Sequence, residues 1–223
     1  MPTSSTSAAA LPPLSPEPLR DCPLCPRLVA YRRANQAEHP EWFNGPAPSF
    51  GDPQARLLVV GLAPGRTGAN RTGRPFTGDY AGVLLYETLL KMGFARGRYE
   101  ARPDDGLQLV DCMITNAVRC APPGNKPETG EETNCRQFLT GTIEALPRLK
   151  VIVTLGDVSR RNVLRALGLK ASAGIAGHGS EFAAGPYLVL NSYHCSRLNT
   201  NTGRLTAPMF EAVFERARAL LGG

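Results

Sequence analysis

No stretch of the chain approaches the roughly 18 consecutive apolar residues of a membrane span, so no transmembrane helix and no membrane partner are expected. The G-x-x-x-x-G-K-[ST] loop and the G-x-G-x-x-G fingerprint are both missing, which disfavours a nucleotide cofactor. There is no internal repeat, so the chain does not read as a solenoid or an array. Residues 1–20 hold five prolines and a Ser/Ala run but neither a basic start nor a long apolar centre. They do not read as a secretory signal, and a disordered tail over 1–20 is expected. The expected compartment is the cytoplasm, where thiols stay reduced. The six cysteines are then expected to be metal ligands, core residues or reactive thiols instead of disulfides.

What is present is a globular composition: 42% of the 223 residues are hydrophobic and 20% are charged. This length suits one α/β domain, expected over residues 21–223 and as a monomer. A net charge of +6 favours a polyanionic partner such as a nucleic acid.

Four short apolar runs read as buried strands: Arg56–Gly61, Val110–Val118, Val151–Gly156 and Tyr187–Ser192. Helical patterns separate them, over Tyr80–Met92, residues 129–146, Asp157–Leu167 and Thr206–Leu221. Strands alternating with helices imply right-handed crossovers and a mostly parallel sheet covered on both faces. Ligands of such sheets bind beyond the carboxyl ends of the strands. The loops there are Leu62–Asp79, Arg119–Lys126 and His194–Arg204.

Cys22 and Cys25 form a C-x₂-C pair, and Cys120 and Cys135 a second pair with fourteen residues between them. Four thiolates so arranged fit a structural metal site, and the spacing alone leaves zinc and iron–sulfur equally open. Two unrelated pairs of buried thiols are the blander alternative. Cys112 sits in an apolar strand as a core residue. Cys195 follows His194, but adjacent residues on an extended segment face opposite ways, which argues against a Cys–His nucleophile.

The first loop holds glycines that permit close approach of backbone to a ligand and three arginines, Arg66, Arg71 and Arg74, placed to meet phosphates. It also holds Phe76 and Asp79, whose natural uses beside a base are stacking and carboxylate chemistry. The last loop carries His194, Ser196, Arg197, Leu198, Asn199 and Arg204, a dense set of hydrogen-bonding groups. His39 and His178 have no such setting and read as non-catalytic.

Together these loops resemble the iron–sulfur uracil-DNA glycosylases, and most closely the UdgB group, the fifth family. The matching residues are Gly61-Leu-Ala-Pro-Gly65, Asn70-Arg-Thr-Gly-Arg-Pro-Phe76-Thr-Gly-Asp79, Asn116-Ala-Val-Arg-Cys120-Ala-Pro-Pro-Gly-Asn125-Lys-Pro, Cys135, Ser192-Tyr-His194-Cys-Ser196-Arg197 and Thr202-Gly203-Arg204. The resemblance runs from Cys22 to the C-terminus. It implies a three-layer α/β/α fold with a central four-stranded parallel sheet, a [4Fe–4S] cluster on Cys22, Cys25, Cys120 and Cys135, and excision of uracil, hypoxanthine and other deaminated bases from DNA. The related fourth family has an acidic residue where this chain has Leu62, so Asp79 becomes the candidate carboxylate. Cys195 stands where Val or Pro is usual.

The residue chemistry suggests a route. A base must leave the duplex before its glycosidic bond can be reached. Arg197 and Leu198 would press into the gap, with Arg66, Arg71, Arg74, Ser196 and Arg204 along the strand. Phe76 would stack on the flipped base beside backbone of Ala63–Gly65, and Asn116 would accept from uracil N3–H and donate to O4. His194 would donate to O2 as charge grows there. Asp79 would face the sugar cation and the attacking water, with Asn125 helping to hold that water. A structural or capping role for Asp79 is the alternative. Two rival expectations remain for the whole chain: a non-catalytic DNA-damage-binding module with a structural four-cysteine metal site, and a zinc hydrolase of another substrate.

Overall fold

The computed structural model describes residues 15–222. In chain order it contains helix α1 (Pro26–Glu38), strands β1 (Phe50–Gly51) and β2 (Leu57–Gly61), helices α2 (Ala69–Thr72) and α3 (Tyr80–Lys91), and a small hairpin of β3 (Ala95–Arg96) and β4 (Gln108–Leu109). There follow β5 (Cys112–Asn116), α4 (Thr129–Glu144), β6 (Val151–Leu155), α5 (Asp157–Ala166), β7 (Glu181–Ala184), β8 (Tyr187–Ser192), α6 (Arg197–Asn201) and α7 (Ala207–Leu220).

The four apolar runs of the sequence become four parallel strands in the order β5-β2-β6-β8. Val59 at their centre lies opposite Ile114 on one side and Val153 on the other. Alternate residues of one strand enter different cores. Leu57 and Val59 pack with Leu85, Leu89, Phe210 and Phe214 under α3 and α7. Leu58 and Val60 pack with Leu139, Ile143, Val163 and Leu164 under α4 and α5. Burial on both faces is why these strands read as unbroken apolar runs, and it makes the three-layer α/β/α architecture.

The sheet has six strands, not four. Two antiparallel edges extend the parallel core: β1 pairs with β5 and β7 with β8. Neither has an apolar run to announce it. β1 is two residues long, and β7 is a half-buried edge strand (EFAA) turned into β8 through Gly185 in the left-handed region (φ 64°). The expected tail also begins to hold earlier than residue 21. Buried Arg119 donates to the Glu17 carboxylate at 3.2 Å and to the Pro16 carbonyl at 3.0 Å. Residues 1–14 of that tail lie outside the described residues.

Candidate active site

The carboxyl ends of β2, β5 and β8 open into one cavity of ≈ 310 Å³. The loop after β2 contributes Ala63, Gly65 and Arg66, then Phe76 and Asp79; β5 ends in Asn116, and the turn beyond supplies Asn125; the segment after β8 supplies His194, Ser196 and Arg197. The phenyl ring of Phe76 and the imidazole of His194 have centroids 6.2 Å apart. Tyr80, which the sequence reading did not single out, also lines the cavity; its ring lies under the Arg197 guanidinium (5.1 Å), and its hydroxyl accepts from Thr200 Oγ1 at 3.1 Å.

Phe76 is held by its backbone. It adopts φ 54°, a conformation unusual for a large residue, and Tyr99 Oη donates to its carbonyl at 3.1 Å. Helix α3 approaches so closely that a Cβ on Gly82 would stand 1.7 Å from that carbonyl oxygen. A Cβ on Gly61 would stand 2.4 Å from Asn116 Oδ1 and 2.5 Å from Phe76 Cζ. Glycine at the end of β2 is therefore what lets the amide and the phenyl ring share one wall.

Arg74 does not face this cavity. It is buried, with both terminal nitrogens 2.7 Å from the Asp105 carboxylate and Nε donating to Thr77 Oγ1 at 2.7 Å. Its guanidinium also lies over the rings of Phe50, Tyr86 and Tyr99. The expectation that Arg74 meets phosphate is corrected: a cation committed to a buried bidentate pair braces the Phe76 loop from behind. Arg66 lines the cavity but is also engaged, donating to Asn35 Oδ1 and to Glu38, each at 2.6 Å. Arg71 is exposed beside Trp42 and Phe43, away from the cavity. Leu198 projects from α6 with 72% of its surface exposed. Arg204 lies over Tyr193 (4.5 Å) at an adjoining hollow that shares His194 with the main cavity.

Three groups give the cavity its chemistry. Asn116 is 2% exposed, and its Oδ1 has no hydrogen-bond partner among the described residues. An orphaned buried acceptor costs about 1–3 kcal/mol, which a ligand's N–H would relieve. Asp79 caps α3, Oδ1 accepting from Gly82 N–H at 3.0 Å. Its other oxygen is close to Gly68, where a Cβ would stand only 2.5 Å away. Burial raises the Asp79 pKa above the usual carboxylate value, partly offset by the backbone N–H groups of Gly82 and Ala81. Burial lowers the pKa of His194, so the imidazole is neutral near pH 7. No side chain among the described residues hydrogen-bonds its ring; Asn199 Nδ2 instead holds its carbonyl at 2.8 Å.

His178 has a role that sequence spacing gave no sign of. Its Nδ1 accepts from Tyr193 N–H at 3.1 Å, which puts the ring proton on Nε2, 3.2 Å from the Met209 carbonyl. The ring also stacks on Tyr193, at 5.2 Å between centroids. It clips the residue before His194 to α7, and burial holds it neutral by lowering its pKa.

A second pocket is lined by Cys22, Cys25, Cys120 and Cys135, with Leu28, Val118 and Phe138 around them. Ala63 packs against this cluster from the cavity side. Asn134 Nδ2 approaches Cys25 Sγ at 3.8 Å, and Arg119 N–H donates to Cys135 Sγ at 3.2 Å. As free thiols these would be poor acids: burial pushes Cys120 up to about 11 and Cys135 up to about 12. Among the described residues no group of three or more His, Cys, Asp or Glu side chains is placed to hold a single metal ion. Cys112 and Cys195 are buried apart, and all six cysteines are unpaired. No helix among the described residues is long and apolar enough to cross a membrane.

The chain is similar to a type-5 uracil-DNA glycosylase of Thermus thermophilus, at 45% identity over 212 residues that cover 92% of this chain and 95% of the relative. A type-5 uracil-DNA glycosylase of Pyrobaculum aerophilum is 41% identical, covering 92% of this chain and 91% of the relative. A type-4 uracil-DNA glycosylase of the same organism is 31% identical over 156 residues, 70% of this chain and 65% of the relative. None of these similarities supports a non-catalytic module. The model of the uracil DNA glycosylase superfamily matches residues 48–218, a span that takes in the six-stranded sheet and every loop of the cavity, and the chain belongs to that superfamily.

Proposed function

We propose that this protein hydrolyses the N-glycosidic bond of uracil flipped out of DNA, as a type-5 uracil-DNA glycosylase. The observation that carries the reading is the shared wall of Phe76 and the unpartnered Asn116 acceptor, facing a neutral imidazole and a half-buried carboxylate in one cavity. Stacking on Phe76 is worth about 1–3 kcal/mol for a flipped base. Asn116 Oδ1 takes the N3–H of uracil, and its amide donates to O4; cytosine offers the opposite pattern and is refused.

As the bond to the sugar lengthens, negative charge grows on the base and positive charge on the sugar. The neutral His194 ring donates a proton bond to O2. Asp79 keeps one oxygen on the α3 cap and turns the other toward the loop of Gly65 and Gly68, where it faces the sugar cation and orients water. Its raised pKa makes it a better base than an exposed carboxylate. Asn125, left-handed at φ 57° and exposed at the rim, holds that water from the DNA side. Leu198 fills the vacated stack, while Arg197, Ser196, Arg71 and Arg204 meet the strand.

The four cysteines suit a [4Fe–4S] cluster, which supplies bracing and no step of the hydrolysis. What supports it is that all four cysteines line one pocket, with the Arg119 N–H on Cys135 Sγ at 3.2 Å and Arg32 Nη1 on Cys120 Sγ at 3.7 Å, donors of the kind that sulfurs carrying negative charge attract. Unpaired cysteines also suit the reducing cytoplasm.

Oligonucleotides carrying a single uracil, hypoxanthine or other deaminated base test the reading. Release of free uracil, leaving an abasic site that alkali cleaves, is the expected result. Binding without release of any of these bases contradicts it.

A further inference from the structure

Four arginines are buried among the described residues: Arg32, Arg74, Arg119 and Arg160. Three have a carboxylate partner, Asp105 at 2.7 Å, Glu17 at 3.2 Å and Asp157 at 2.8 Å respectively for Arg74, Arg119 and Arg160. Arg32 is 8% exposed and has none among the described residues. Its Nη1 donates to Cys120 Sγ at 3.7 Å, and its Nη2 to the Cys22 carbonyl at 3.2 Å. It lies on the inward face of α1 between Leu28 and Asn35, spaced one turn from each.

A guanidinium cannot shed its proton, and a buried charge without a counter-charge is costly. The groups Arg32 touches are parts of two of the four cysteines, one from each pair. Neutral thiols give it nothing to balance. Four thiolates on a cluster give it a net negative charge at hydrogen-bond distance.

We propose that Arg32 is the built-in counter-charge of the four-cysteine centre, setting that centre's electron affinity and holding the N-terminal cysteine pair to Cys120. The proposal rests on the iron–sulfur reading above. The potential of such a centre depends on net charge and on hydrogen bonds to its sulfurs. A cation beside it stabilises the more reduced, more negative state, so removing the cation moves the midpoint potential to more negative values.

The test compares the full-length wild type with Arg32→Gln and Arg32→Lys by iron and acid-labile sulfide content, visible absorption and direct electrochemistry. Arg32→Gln is expected to keep the fold and show a more negative midpoint and faster loss of visible colour on exposure to ferricyanide; Arg32→Lys, with its charge retained, stays close to wild type. If Arg32→Gln cannot hold the cluster at all, retention by Arg32→Lys still supports the charge. Equal loss in both variants, or an unchanged midpoint in Arg32→Gln, overturns the proposal while leaving the cluster standing. A wild type without iron and sulfide removes the cluster reading, and this proposal with it.

Discussion

His194 turns its imidazole to the cavity. Its ring has no side-chain partner among the described residues, and burial keeps it neutral. His194→Ala is expected to slow single-turnover excision more than tenfold, about 1.4 kcal/mol of barrier, with DNA affinity little changed; an unaltered rate removes it from the chemistry. Asp79 serves two ends of one carboxylate, and two variants separate them. Asparagine caps a helix as well as aspartate does, whereas alanine costs about 0.5–2 kcal/mol of stability. Asp79→Asn is therefore expected to keep the thermal midpoint and lose rate, and Asp79→Ala to lose both. Full activity in both variants would leave Asp79 as a cap alone.

At the level of elements, the position of Phe76 depends on a buried ion pair behind it. The Asp105 side chain is fully buried against Arg74, and hydrogen bonding to that guanidinium holds its carboxyl well below the usual carboxylate range. Asp105→Asn strands a buried cation, and a loss of about 3–5 kcal/mol is expected in denaturant unfolding, with weaker excision as the Phe76 loop loosens. Because the folded pKa is depressed, the contribution is present above the unfolded value of about 3.9 and is lost as pH falls toward the folded value. The stability gap between wild type and variant should therefore narrow below about pH 4; a gap independent of pH would assign the loss to packing instead. This pair was not legible in the sequence, where Arg74 stands among loop arginines and looks like a phosphate contact. The four central strands were legible because both their faces are buried. The edge strands β1 and β7 were not, being short or half-exposed, and α1 was not, because its inward face is Leu28, Arg32 and Asn35 instead of an apolar stripe. The cavity loops were legible by their residue types. Their meeting was legible too, because a parallel sheet sends the loops after its strands to one edge, and one cavity does hold Phe76, Asn116 and His194; the clip from His178 to Tyr193 was not, being a contact between distant segments that no local pattern encodes.

Across the whole molecule, a net charge of +6 predicts DNA binding that weakens as salt rises, because each phosphate neutralised releases counterions. Arg204 and Arg197 are exposed, and Arg74 is not. Arg204→Ala is expected to reduce the slope of log affinity against log salt by about 1; an identical slope takes Arg204 off the DNA track. The same architecture stacks two sites along one line: the cysteine pocket backs onto Ala63, and Ala63 walls the base cavity. The most direct test of the account is a structure of the protein with DNA carrying a 2′-fluorinated deoxyuridine, whose glycosidic bond resists hydrolysis. The uracil should lie stacked on Phe76, its N3 and O4 against the Asn116 amide and its O2 toward His194. A base left in the duplex, or seated away from Phe76 and His194, would contradict it.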